Sequence, residues 1–146
     1  MSAGPSRVCL GIGCDRGTPE ATLERAVLEA LALAGVSGSA VEQVASITLK
    51  ADEPGLLSLA ARRGWPLRFY PAAQLAEVPV PHPSETVRRH TGTPSVSEAA
   101  ALLAAGGANA AALCVEKHRL RGDDGRHATV SVAWAGAGAV CAREMP

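Results

Sequence analysis

Compact apolar runs alternate along this chain with stretches whose apolar residues recur every three to four positions. Val8 to Gly13 is the first run and has the length of a buried strand. Leu23, Ala26, Val27, Ala30, Leu31 and Ala34 then share one helical face, while Glu20, Glu24, Arg25 and Glu29 fall largely on the other. Thr18-Pro19-Glu20 supplies a helix start, with threonine as cap, proline in the first turn and glutamate at the positive end. Gly35 is its expected stop. Ser39 to Gln43 reads as a short helical turn and Val44 to Leu49 as a second strand. The polar stretch from Lys50 to Gly55 opens a helix that runs to about Arg63 and closes at Gly64. Leu67 to Tyr70 is a third strand, and Pro71 to Val78 a further helix stopped by Pro79.

Pro79-Val80-Pro81-His82-Pro83 is stiff and extended, because each proline fixes its own φ and restrains the residue before it. Ser84-Glu85 caps a short helix ending near Gly92. Ser95 and Glu98 form a capping box for an alanine-rich helix that ends at Gly106-Gly107. Ala111 to Val115 and Ala128 to Ala135 are the fourth and fifth strands, with Gly122-Asp123-Asp124-Gly125 as the turn between them. Strands separated by helices imply parallel neighbours with helical crossovers, and the last pair is a hairpin. The expected fold is one three-layer α/β/α domain over residues 1–146, with residues 1–6 as a loose tail. Its sheet is mixed and mainly parallel, of about five strands, with a C-terminal β-hairpin.

Composition narrows the function classes. Acidic and basic residues balance at 14 each, so no global field attracts nucleic acid or a membrane. Trp65, Phe69, Tyr70 and Trp134 are the aromatic residues, too few for base-stacking platforms. No apolar run reaches the roughly 18 residues of a membrane span, and the N-terminus lacks the pattern of a signal peptide. Cys9, Cys14, Cys114 and Cys141 form no C-x-x-C pair, and His82, His90, His118 and His127 show no metal-ligand spacing. The expectation is a reduced, cytoplasmic protein with no metal and no cofactor.

The chemistry concentrates at strand ends. Gly11-Ile12-Gly13-Cys14-Asp15-Arg16-Gly17-Thr18 leads from a strand to a helix start, where backbone N–H groups and a helix dipole suit an anion. Its G-x-G-x-x-x-G spacing is one residue longer than the dinucleotide fingerprint, and Asp52 lies 35 positions after Gly17 instead of about 20. A bare turn and an anion site with Arg16 adding charge are both open. Lys50 and Glu53 follow the second strand, where open α/β sheets bind ligands; Asp52 or Glu53 has a second reading as a helix cap. Ser84, Glu85, Ser95, Val96 and Glu98 mark two more helix starts, for which ordinary capping is the alternative. Lys117, His118 and Arg119 are read as following the fourth strand, with His118 and Arg119 on a solvated hairpin. Cys14, beside a helix start, is a nucleophile of lowered thiol pKa or a small turn residue.

Taken in order, Gly11 to Thr18, Leu49 to Leu56, Pro83-Ser84-Glu85 and Gly92 to Leu102 resemble the family of cobalamin-biosynthesis proteins comprising CobE and the C-terminal domain of CbiG. The resemblance extends from about Val8 to Ala135. It departs from the family's more frequent Gly-Cys-Arg-Arg-Gly loop at Asp15, which leaves Arg16 as the loop's cation. In the longer CbiG-type protein, whose N-terminal part this chain is expected to lack, the family activity is opening of a lactone on a cobalt-precorrin with release of acetaldehyde. The stand-alone form belongs to the oxygen-dependent route. The resemblance implies a precorrin-type tetrapyrrole as ligand and a neighbouring corrin-pathway enzyme as partner. Its acetate and propionate arms would meet Gly11, Gly13, Cys14, Arg16, Gly17, Thr18, Lys50, Glu53, Ser84, Glu85, Ser95, Val96, Glu98 and Lys117, with Ala, Val and Leu covering the ring. The carrier or auxiliary reading stands beside two others: a hydrolase with Glu53 or Glu85 as general base, and a structural subunit whose turn is vacant.

Overall fold

The computed structural model describes residues 7–78, 96–106 and 112–135. Its elements are β1 (Val8–Cys14), α1 (Glu20–Ala34), β2 (Val41–Ile47), α2 (Pro54–Arg63), β3 (Leu67–Tyr70), α3 (Ala72–Ala76), α4 (Val96–Ala104), β4 (Leu113–Arg121) and β5 (His127–Trp134). The sheet order is β3-β2-β1-β5-β4. β1, β2 and β3 pair in parallel, whereas β5 runs antiparallel to both β1 and β4. The sheet is therefore mixed, with β5 opposing the direction of the other four described strands.

Alternation along β1 divides the core into two layers. Val8, Leu10 and Ile12 pack with Leu23, Val27 and Leu31 of α1 and Leu56 and Leu59 of α2. Cys9 faces the other way, towards Leu75 of α3 and Ala99, Ala100 and Leu102 of α4. The alanine-rich composition of α4 has a steric cause in Gly11: a Cβ built there would overlap the Ser97 carbonyl oxygen and stand 2.6 Å from the Ala101 amide nitrogen. Helix and sheet backbones touch directly, so only small side chains fit between them.

Several boundaries differ from expectation; the turn expected over Ser39 to Gln43 is a 3-10 turn at Gly38–Ala40. The α1 N-cap is Pro19, without a side-chain cap bond, and Thr18 is buried instead, its Oγ1 donating to the Asp15 carbonyl at 2.7 Å. Gly35 does end the helix, with φ of 77°. Strand β2 starts at Val41 and ends at Ile47, because Val41 pairs with Val8 of β1; Thr48–Lys50 is a 3-10 turn. Helix α3 is shorter than the span from Pro71 to Val78. Strand β4 runs on to Arg121, so Lys117, His118 and Arg119 lie within it. An edge strand tolerates such charges on its solvent-facing side. His118 is no solvated side chain: its Nε2 meets Glu29 Oε1 of α1 at 2.7 Å. On the same helix layer, Arg62 and Arg63 of α2 clasp Glu20 and Glu24 of α1, and the two arginine hydrogen bonds hold the Glu24 carboxyl below its ordinary value. These ion pairs fix the helices whose N-termini border the strand ends.

Candidate functional site

Parallel β1 and β2 separate at their C-terminal ends. Their register runs to Gly11↔Ala45, and beyond it the buried Ser46 hydroxyl donates to the Ile12 carbonyl at 2.6 Å. α1 and α2 start at this edge, directly after the two strands. Val96, the first residue of α4, reaches the same edge from the opposite layer, its Cβ lying 3.7 Å from the Cβ position of Gly13. Three helix N-termini thus converge where the loops after β1 and β2 diverge, the arrangement that gives open α/β sheets their ligand crevices.

The two loops are bonded to each other. Arg16 Nη1 donates to Asp52 Oδ1 at 2.8 Å, and Nη2 to the Leu49 carbonyl at 3.0 Å. The Gly17 amide donates to both oxygens of Glu53, at 2.8 and 3.2 Å. Glu53 is fully buried, with Arg16 Nη1 3.8 Å from Oε2. Helix α2 does have Glu53 at its N-cap position, yet the carboxylate makes no cap bond and crosses to Gly17 instead. Asp52 is likewise spent on Arg16, whose hydrogen bond holds its carboxyl below the ordinary range. Gly17 has φ of 81°, so this turn needs glycine. Gly55 is needed for contact, since a Cβ there would come 2.5 Å from the Thr18 carbonyl oxygen.

Asp15 has a structural task that the sequence does not reveal. Its Oδ2 accepts from the His127 amide at 2.7 Å and lies 3.3 Å from His127 Nδ1, while its own amide donates to the His127 carbonyl at 3.0 Å. The β1 loop is thereby pinned to the start of β5. Arg126 adds a bond from Nε to the Arg16 carbonyl at 3.0 Å. Cys14 is the last residue of β1, and burial pushes its thiol up, against the lowering influence of Lys50. This opposes the reading of Cys14 as an activated thiolate and favours the alternative, a small residue at the turn.

Cys14, Arg16, Gly17, Thr18, Lys50 and Glu53 are brought together at the edge, with Gly13 and Val96 beside them. Gly11 is buried under α4, where its task is packing. Glu98 is buried in the first turn of α4. Lys117 sits in mid-strand on β4, two strands from β1. Ser84, Glu85 and Ser95, with the histidines at 82 and 90 and Cys141, lie outside the described residues. Sequence reasoning missed the Asp15–His127 and Arg16–Asp52 pairings, whose partners are separated by 112 and 36 positions. It also missed Leu49, a leucine 52% exposed beside Lys50. Among the described residues no cluster of His, Cys, Asp and Glu is gathered for a metal ion, and no helix is long and apolar enough to cross a membrane.

Comparison with known proteins gives this geometry a family. The sequence matches the family described as cobalamin synthesis G C-terminus over residues 8–133. Protein CobE of a Sinorhizobium species is 42% identical over 110 residues, covering 74% of this chain and 70% of that protein. Cobalt-precorrin-5A hydrolase of Priestia megaterium is 38% identical over 102 residues, covering 70% of this chain. The match spans only about a quarter of that hydrolase's length, 27%. Among solved structures, CobE from the cobalamin (vitamin B12) biosynthetic pathway aligns with a TM-score of 0.68 at 34% identity, over 90% of this chain and 92% of that one. The cobalamin biosynthesis protein chiG of Agrobacterium tumefaciens aligns at 0.61, also with 34% identity, over 88% and 98%. With both core layers and the β1–β2 edge inside the matched region, the chain belongs to the cobalamin synthesis G C-terminus family and is a cobalamin-biosynthesis protein of the CobE and CbiG C-terminal type.

Proposed function

We propose that this chain binds a precorrin-type tetrapyrrole across the C-terminal edge of β1 and β2, as a carrier or auxiliary factor for another corrin-pathway enzyme. The observation that supports this most is the charge of Lys50 at this edge. Arg16 is held by Asp52 and Leu49, Glu53 by Gly17, Asp15 by His127, and Arg126 by Asp124. Lys50 is half-buried at the same edge, and its ammonium has no hydrogen bond or ion pair among the described residues. A cation at a crevice with no hydrogen bond or ion pair among the described residues is suited to a ligand carboxylate, and a precorrin is edged with acetates and propionates. Exposed Leu49 beside it offers apolar surface to the ring. An open groove of about 290 Å³ between the starts of α1 and α2, lined in part by Gly17, Glu20 and Ser58, borders this edge; the macrocycle would lie across the edge.

The hydrolase reading draws less support. Glu53 is fully buried with both oxygens turned to the Gly17 amide, a poor position for a general base; Glu85, the other candidate base, lies outside the described residues. Binding without turnover is the simpler chemistry for this edge.

Anaerobic titration with a purified cobalt-free precorrin tests the proposal, read by the shift of its visible absorption. Wild type is expected to bind without releasing acetaldehyde. Lys50→Met is expected to bind about tenfold more weakly, as for one charge-assisted hydrogen bond at a partly solvated site. Release of acetaldehyde by wild type, or equal affinity in Lys50→Met, would overturn this reading.

A further inference from the structure

We infer that Asp52 is an internal stand-in for a ligand carboxylate, occupying the Arg16 guanidinium in the free protein and displaced from it when a carboxylate arm binds. The inference rests on the ligand class proposed above and adds how the site is held before that ligand arrives. Asp52 Oδ1 takes Arg16 Nη1 at 2.8 Å, in the geometry of any carboxylate on this donor. The Asp52 side chain is 81% exposed, so it can leave without exchanging a buried environment for water. Arg16 would stay where it is. Its Nη2 is tied to the Leu49 carbonyl at 3.0 Å, and the buried Glu53 carboxylate lies 3.8 Å from Nη1. The guanidinium therefore keeps its position and orientation when Asp52 departs, leaving a preorganised donor next to Lys50.

Lys50 also acts on the Asp52 carboxylate through its charge. One exposed acidic side chain thus lies under the influence of two cations, Arg16 and Lys50. Glu53 cannot serve as the exchangeable partner, since it is buried and committed to Gly17. The division of labour is between a permanent carboxylate that anchors the loops and a removable one that fills the ligand position. Exchange of one carboxylate for another breaks no covalent bond and moves no proton.

Uroporphyrin III, a stable tetrapyrrole with acetate and propionate arms, is the probe for this exchange, titrated into wild type, Asp52→Asn, Arg16→Met and the double variant. Asp52→Asn is expected to bind about two- to fivefold more tightly than wild type, the range for removing an exposed competing ion pair. In the Arg16→Met background the same change is expected to tighten binding by clearly less, through loss of a like charge alone, since there is no guanidinium to release. A carboxyl NMR titration gives a second readout: as uroporphyrin saturates wild type, the Asp52 carboxyl should move up towards its ordinary value of 3.8. Equal tightening in both backgrounds would reduce Asp52 to a general repulsive charge and overturn the exchange. So would unchanged affinity of Asp52→Asn. If wild type and every variant fail to bind uroporphyrin, the tetrapyrrole reading itself falls, and the exchange with it.

Discussion

Gly11→Ala is expected to lower folding stability by about 3 kcal/mol, at the upper end of the cost of overpacking a close-packed interior. The added methyl would run into the Ser97 carbonyl and the Ala101 amide nitrogen, both of which are backbone atoms. No rotamer change can relieve that contact, so α4 must lift from the sheet. Ser97 and the alanines of α4 would then lose their contacts with β1, together with the 2.9 Å bond between the Ser97 and Ser131 hydroxyls. Urea unfolding followed by far-ultraviolet circular dichroism measures the effect as a fall in midpoint at unchanged slope. Gly13→Ala is the control, because a Cβ there would meet only Val96 at 3.7 Å and greater, an ordinary contact. A stability loss equal at both positions would remove Gly11 from its packing role.

Glu53→Ala is expected to cost about 2–3 kcal/mol, the scale of hydrogen bonds to a charged group. The carboxylate is buried, and burial of a charge is unfavourable until it is bonded. Here the Gly17 amide and the nearby Arg16 guanidinium supply that compensation. Truncation leaves a cavity beneath the β1 loop, frees the Gly17 amide and removes the link between the two loops. Glu53→Gln, which keeps an acceptor of similar shape, should recover most of the stability. The pair separates two roles. A clamp predicts loss of stability and of tetrapyrrole binding in Glu53→Ala, with both largely restored in Glu53→Gln. A general base predicts a stable Glu53→Gln protein that binds normally and has lost a turnover that wild type performs.

How much of this was legible in the sequence depended on whether the determinants were local. The apolar run of β1, the face of α1 and its glycine stop are encoded within a few residues, and their positions followed from spacing. The length of β4 did not, because Glu116 to Arg121 looks like a polar loop until β5 is known to pair with it as far as Arg121↔His127. Val41 likewise joins β2 only through its partner Val8. At the site, the converging loops were foreseeable from two strands in sequence. The side-chain pairings were not: Glu53 looked like a cap for the helix it precedes, and Asp15 like an unexplained loss of positive charge. Both carboxylates instead bind amides brought close by the fold, at Gly17 and His127. Lys117 was grouped with the strand ends on the assumption of a short β4, and the longer strand carries it into the middle of the sheet's edge.

Tetrapyrrole binding at the β1–β2 edge, as proposed, is tested most directly by an amide chemical-shift map. Uniformly nitrogen-labelled protein would be titrated anaerobically with a purified cobalt-free precorrin. The largest shifts are expected on Cys14 to Gly17, Lys50 to Glu53 and Val96, the residues gathered at the end of β1 and β2. Saturable shifts centred instead on the outer face of α1 around Leu28, or on the β4 edge around Lys117, would contradict it.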